Sequence, residues 1–264
     1  MWMDRVRVRV EDFPRRDCYP FDLSWLRERL ELPFESPIAM FVGENGSGKS
    51  TLLEAIVMRA DIPVWNRSKR HIAHRNPYEN TLYEYLDVEW TSGRVSGSFF
   101  NAETFRQRAE FLDDVSLVDP GQLKYFGGRT LLNQSHGEGM LTFFQGRYAL
   151  RGLYALDEPE AALSPVSQVE LARLLHRYAS AGHAQFLVAT HSPILMAVPG
   201  AQIFALDGAG LRQTTFEETG HYRLYRDFMA DPAAALGLGD LGYPTPHGSA
   251  PDGPPLSTPP SHRG

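Results

Sequence analysis

The run GENGSGKST, from Gly43 to Thr51, places three glycines, a lysine and its flanking hydroxyls at the spacing G-x-x-x-x-G-K-[ST]. Glycines so spaced let backbone N–H groups wrap around phosphate oxygens, and a helix starting behind them adds partial positive charge. Lys49 would reach the β- and γ-phosphates of a nucleotide, Ser50 would offer its hydroxyl to Mg²⁺, and Thr51 would lie at the α-phosphate. A second run, LDEPEAALSP, puts Asp157 at the end of an apolar stretch. A carboxylate buried there is costly without a cation or hydrogen bonds, and the Mg²⁺ expected on Ser50 is its natural partner. Glu158, next in the chain, is suited to polarise a water against the γ-phosphate as a general base. His191 closes the apolar run FLVATHSP. Ligands gather at strand C-termini of parallel sheets, where this imidazole could contact the γ-phosphate and hold Glu158 and the water in line.

Two other clusters invite chemistry. In LLNQSHGEGM, residues 131–140, Ser135 stands beside His136 with Glu138 close by, which suggests a hydrolytic nucleophile. A nucleophile elbow needs G-x-S-x-G on a strand-to-helix turn. Asn133 occupies the first glycine position and no apolar strand precedes Ser135. A serine and histidine adjacent in the chain are also poorly placed to bond Oγ to imidazole, so the nucleophile reading is set aside; a polar turn capping the next helix is the plainer one. His71 and His74 have a spacing that could suit zinc, but no second ligand pair accompanies them.

These residues need strands and helices to bring them together. Ile38 to Val42 reads as a strand feeding the glycine-rich turn, and a helix follows it. Val6, Val8 and Val10 alternate with arginines, which predicts a half-buried strand with the arginines on the solvent face of an edge. FDLSWLRERLEL predicts a short amphipathic helix. The region from about Asn66 to Pro120 mixes aromatics with short alternating runs, and a strand-containing lobe inserted over roughly 66–135 is expected. A helix is predicted over Met140 to Arg151 and a strand over Leu153 to Leu156. SPVSQVELARLLHRYASAG is a helix with a Ser-Pro start and a Gly stop. AQFLVATHS and AQIFAL are two further buried strands. Strands alternating with helices predict a parallel α/β sheet. The Pro/Gly-rich stretch 242–264 has almost nothing to bury and is expected to be disordered.

A chain of 264 residues with 42% hydrophobic and 22% charged residues fits one good core with a subordinate lobe. The net charge of −6 argues against a surface basic all over and leaves room for a local basic patch. Only Lys49, Lys69 and Lys124 among the 26 basic residues are lysines, so the position of Lys49 is informative. Cys18 is the single cysteine, which excludes an intramolecular disulfide and points to a reducing cytoplasm. MWMDRVRVRV has no apolar core before a cleavage site, so no signal peptide is expected there. The longest apolar stretch, Phe186 to Leu206, is broken by His191, Ser192, Pro193, Pro199 and Gly200, and no membrane span is expected.

Gly43 to Thr51, Ser135 to Gly139, Leu153 to Ser164 and His191 occur in the order, and at roughly the spacing, of ABC-type ATPases. The sequence resembles small stand-alone bacterial ATPases often labelled AAA family, distant relatives of the ATPase heads of chromosome-maintenance and recombination proteins. The resemblance covers most of Ile38 to Leu206 and extends through HYRLYRDFMADP. It implies a P-loop NTPase fold with an ABC-ATPase-like parallel-sheet core and a smaller inserted lobe, residues 1–241 forming one ATPase domain. Gly43, Asn45, Gly46, Ser47, Gly48, Lys49, Ser50 and Thr51 resemble the Walker A loop. Asp157 and Glu158 resemble the Walker B pair, Ala161 to Ser164 the D-loop, and His191 the switch histidine. QSHGEG takes the place of the signature loop: Ser135 and Gly137 fit its pattern, while His136 and Glu138 depart from it. Asn101, Glu103 and Gln107 are all candidates for the Q-loop residue, with Glu103 favoured. Phe13, Tyr19 and Phe21 are candidates to stack on adenine.

The resemblance implies a cytoplasmic ATPase that uses ATP and Mg²⁺, dimerises head to tail around two nucleotides, and drives an unidentified effector protein. Ser135 and its loop would then face the γ-phosphate held by the opposing subunit. The other reading is the nucleotide-binding subunit of an ABC transporter. The stretch between the two glycine-rich loops is too short for long coiled-coil arms, so tethering DNA by arms is excluded; direct nucleic-acid contact by the lobe stays open without a positive indication.

Overall fold

The computed structural model describes residues 1–27, 30–64, 76–102, 104–105, 110–111, 114–115, 121 and 136–238. In chain order, β1 (Met3–Val8), β2 (Leu30–Pro33) and β3 (Ile38–Val42) lead to helix α1 (Lys49–Arg59), followed by β4 (Leu86–Trp90) and β5 (Gly97–Asn101). Helix α2 (His136–Tyr148), β6 (Gly152–Asp157), α3 (Pro165–Ser180), β7 (Ala184–Ala189) and the short α4 (Pro193–Met196) come next. The hairpin β8 (Gln202–Asp207) and β9 (Gly210–Thr214) precedes α5 (Gly220–Ala230) and α6 (Pro232–Ala235).

Six strands form the central sheet in the order β5-β6-β7-β3-β8-β9. All neighbours are parallel except β8 and β9, which form an antiparallel hairpin at one edge. Strands β3, β6 and β7 are buried at every position. Their continuous apolar runs are what a parallel sheet covered on both faces requires. One face packs on α1 and on a three-stranded antiparallel sheet of order β2-β1-β4. The other packs on α2, α3 and α4 through Phe143, Phe144, Leu171, Leu175 and Leu195.

Helix α3 shows why these elements form. Leu171, Leu174, Leu175 and Ala179 recur on one face and are buried. Ser164 caps the helix by accepting from the Ser167 N–H, Pro165 opens it, and Gly182 ends it at φ +75°.

Several expectations are corrected. The helix expected over FDLSWLRERLEL is not found among its described residues: a 3-10 turn at Ser24–Leu26 precedes strand β2. Leu30 and Leu32 alternate with Glu31 at a period of two and pair with β1, so tertiary pairing overrides the helical pattern. Strand β1 is the middle of its sheet, not an edge. Its outward arginines meet acids across the strands, Arg5 lying 3.8 Å from Glu31 and 3.9 Å from Glu89. Helix α2 includes His136 and Gly137, four residues before the predicted start, so Gly137 lies in a helical first turn rather than in a loop. Within the stretch expected as an inserted lobe, β4 joins the small sheet beside β1, and β5 joins the large sheet beside β6. His71, His74 and the tail 242–264 lie outside the described residues.

Candidate functional site

Strands β3, β5, β6 and β7 run parallel, so their C-terminal ends open on one side of the sheet. The loop after β3 returns to α1 with Gly48 as its N-cap at φ +92°. That left-handed conformation is natural for glycine. The loop is braced from behind: Trp25 Nε1 donates to Ser47 O at 2.8 Å, and Tyr19 Oη lies 2.8 Å from Thr51 Oγ1. Gly43 allows a close backbone approach, since a Cβ there would fall 2.2 Å from Leu206 O.

Lys49 is 3% exposed and turns its ammonium back into the loop, donating to Gly43 O at 2.9 Å and Glu44 O at 3.1 Å. Burial pushes this ammonium below its ordinary range, while Glu158, Asp157, Glu160 and Glu44 act to hold it up. A cation near several acids and held by two carbonyls is placed to donate to phosphate oxygens, whose charge-assisted bonds are stronger than those to carbonyls.

At the end of β6, Asp157 is 3% exposed. Ser50 Oγ donates to its Oδ1 at 2.8 Å, and Asn101 Nδ2 donates to its Oδ2 at 2.9 Å. Burial raises this carboxyl to about 6 despite those hydrogen bonds, and Glu158 and Glu54 push the same way. The Ser50 hydroxyl and the Asp157 carboxylate form a pair of hard oxygens beside a phosphate-binding loop. Such a donor set fits Mg²⁺, which takes one or two protein ligands and completes its octahedron with phosphate and water. Among the described residues no group of three or more His, Cys, Asp or Glu could hold a metal by itself, so the ligand set would have to be shared with phosphate.

Glu158 follows in a left-handed conformation, φ +46° and ψ +52°, that few side-chain-bearing residues adopt. Its N–H donates to Ala189 O at 2.9 Å, which fixes the turn against β7. The strained turn points the carboxylate across to His191, with Oε1 3.4 Å from Nε2. His191 itself is clamped. Its backbone N–H donates to Glu160 Oε1, and its Nδ1 lies 3.3 Å from His221 Nε2. The His191 Nε2 atom is buried and makes no hydrogen bond, so a polar atom faces Glu158 with bonding capacity to spare.

The structure therefore brings together Lys49, Ser50, Asp157, Glu158 and His191, as their spacing led one to expect. Among the Q-loop candidates Asn101 touches Asp157, whereas the favoured Glu103 and Gln107 lie outside the described residues. Of the aromatic candidates, Phe21 is 3% exposed within a cluster of Phe13, Tyr78 and Tyr85, while Tyr19 is 40% exposed beside the loop. Gly137 lies against Ala162, Leu163 and Ser167 of its own chain, and Ser135 is outside the described residues. Trp25, Glu160 and His221 were missed. Glu160 lies in the run LDEPEAALSP, and His221 opens the stretch HYRLYRDFMADP, where the resemblance assigns no role to it.

Residues 104–197, which carry Asp157, Glu158 and His191, match the family described as "AAA domain, putative AbiEii toxin, Type IV TA system". Residues 21–59, which carry the glycine-rich loop, match a second AAA domain family. No curated protein matches the chain by sequence. Among solved structures, cbiO1 from Clostridium perfringens, part of the ABC transporter complex cbiONQ, is 14% identical with a TM-score of 0.51, covering 89% of this chain and 99% of its own. "An inward-facing conformation of a putative metal-chelate type ABC transporter" is 16% identical with a TM-score of 0.50, covering 85% of this chain and 88% of that one. The SMC head domain from Thermotoga maritima, 16% identical over 81% of this chain and 99% of its own, has a TM-score of 0.46. The likeness to the first two is one of fold: the α/β, parallel-sheet core of a P-loop NTPase.

Proposed function

We propose that this chain, a distant relative of AAA/ABC-type P-loop ATPases, hydrolyses ATP to ADP and phosphate with Mg²⁺, and that residues 1–241 act as one ATPase unit. The observation that carries the reading is Asp157 held between Ser50 and Asn101, with the Glu158–His191 pair beside it and Lys49 in the loop. Lys49 and the loop amides bind the β- and γ-phosphates, and Ser50 and Asp157 are the residues that would hold Mg²⁺, whose charge offsets that of the phosphates. Tyr19, exposed beside the loop, is the ring we propose to stack on the base. Glu158 accepts a proton from water as its oxygen bonds to the γ-phosphorus and the bond to the β,γ-bridging oxygen breaks, leaving ADP and phosphate. His191 Nε2 orients that water and the γ-phosphate.

In the full reading two copies meet head to tail. Ser135 and Gly137 of each copy complete the γ-phosphate cage of the other, and closure excludes water around developing charge. The cycle then drives an effector protein. The test is Glu158→Gln: ATP turnover should fall by roughly 10²-fold or more while ATP still binds, and the variant should accumulate as an ATP-bound dimer in size-exclusion chromatography. Unchanged turnover with a monomer at saturating ATP would overturn the mechanism.

The fold likeness to transporter ATPases also fits a nucleotide-binding subunit of a membrane transporter. Among the described residues no helix is long and apolar enough to cross a membrane; in that role the chain would act on a membrane-spanning partner. Co-purification of the ATP-bound Glu158→Gln protein with a multi-span membrane protein would select it; capture with a non-membrane effector would select the first reading.

A further inference from the structure

We infer that His221 is a positioning residue for the hydrolysis proposed above: by donating its Nε2–H to His191 Nδ1, it locks His191 in the tautomer whose Nε2–H faces Glu158 and the attacked phosphate. The inference rests on the ATPase reading and adds a residue that neither the motifs nor the family matches mark.

In a neutral imidazole one nitrogen donates and the other accepts, and the partner of one sets the role of the other. His191 Nε2 lies 3.4 Å from the Glu158 carboxylate. If Nε2 were the bare nitrogen, its lone pair would face an acceptor-only group across that gap. Nε2 therefore carries the hydrogen, and Nδ1 is left as the acceptor. Only a donor satisfies Nδ1, and the atom 3.3 Å from it is His221 Nε2. The rings stand 5.4 Å apart at 56°, a tilted arrangement rather than a stack.

His221 is held where this role requires. It is the second residue of α5, whose N-cap Thr219 is 3% exposed and accepts from the Tyr222 N–H at 3.1 Å while donating to Phe216 O at 2.7 Å. Burial, with His191 and Lys49 acting in the same direction and Glu44 against, lowers its pKa below the ordinary histidine value. A neutral His221 with its hydrogen on Nε2 brings no extra positive charge beside His191. The other face of His191 is fixed by Glu160, which accepts its backbone N–H. A helix that follows the last strand thus supplies the contact that decides which proton a β7-loop histidine presents.

The test uses the full chain, labelled with ¹⁵N-histidine and freed of metal with EDTA, together with steady-state ATPase assays. His191 signals are identified by their loss in His191→Gln. In the wild type, His191 should be protonated at Nε2 with an unprotonated, hydrogen-bonded Nδ1, and His221→Phe should turn it into a mixture of tautomers. His221→Phe should lower kcat roughly tenfold with KM for ATP within about twofold, and His221→Gln, which keeps a side-chain N–H, should recover most of the loss. A His191 protonated at Nδ1 in the wild type overturns the inference. So does a His221→Phe enzyme as fast as wild type, or a His221→Gln enzyme as slow as the phenylalanine variant. Absent turnover by the wild type would overturn the ATPase reading itself, a different result from wild-type turnover that is indifferent to residue 221.

Discussion

At Asp157, a carboxylate has been placed where water barely reaches it, and its raised pKa measures the expense. In the nucleotide- and metal-free protein the group is pushed from 3.8 to about 6. Because the folded value is the higher one, the stability it contributes is fully present below the unfolded pKa and is lost as pH rises through about 6. Above that pH the ionised group costs up to about 3 kcal/mol, at 1.36 kcal/mol per unit. Asp157→Asn keeps both hydrogen bonds, its oxygen accepting from Asn101 and its amide donating to Ser50. The variant should therefore melt higher than wild type at pH 7.5, with the gap closing as pH falls through 6, while Mg²⁺-dependent ATP binding is lost. Thermal melts across pH in EDTA check this; a gap that does not change with pH would refute it. On the proposed function, a divalent cation bound beside Ser50 would convert that penalty into affinity.

Elements set the precision of the site, and the glycine-rich loop shows how. Gly46 and Gly48 both have positive φ, +77° and +92°. A Cβ at Gly46 would meet nothing within 4 Å, whereas at Gly48 it would lie 2.9 Å from Trp25 Nε1 and 3.0 Å from Leu23 Cδ1. Gly46→Ala should then cost only the left-handed strain, about 1 kcal/mol. Gly48→Ala should cost roughly 2–4 kcal/mol, because the clash adds to the strain and dislodges the indole that braces Ser47 O. Urea denaturation of both variants separates the two terms, and equal losses would mean that Trp25 does not brace the loop. The sequence made the need for glycine legible here, since the motif requires it. That Trp25 is the wall behind Gly48 was not legible, because FDLSWLRERLEL reads as a helix and pairing with β1 makes part of it a strand.

Across the whole molecule, two buried glutamines join the small sheet to the large one. Gln185, fully buried on β7, accepts from the backbone N–H groups of Trp2 and Met3 and donates to Met3 O, each at 2.8 Å. Gln202 on β8 donates to Pro33 O at 3.0 Å and accepts from the Glu35 N–H at 3.0 Å. Gln185→Leu would leave two donors and one acceptor buried and unpaired, an expected loss of roughly 2–5 kcal/mol with no change in the site's own residues. Chemical denaturation checks the loss, and a change below about 0.5 kcal/mol would show that the Gln185 bonds do not help to join the sheets. In the sequence Gln185 is the one polar residue of AQFLVA. Its oddity is visible there, but partners 182 and 183 positions away are not.

Where the chemistry is local, residue types and their spacing were enough. A phosphate loop needs its glycines and lysine in one run, a buried strand needs consecutive apolar residues, and a helix needs its cap and its stop. Hence β3, β6, β7, α3, the glycine-rich loop with Lys49, and the Asp157–Glu158 pair were legible as residues and spacings. Tertiary structure alone decided what depends on contacts between distant segments. It put β1 in the middle of a sheet, set Asn101 on Asp157, and laid His221 against His191 across 30 positions of chain. Each of these follows from strand order and helix docking, which are settled by burial and pairing across the whole chain rather than by any short run within it.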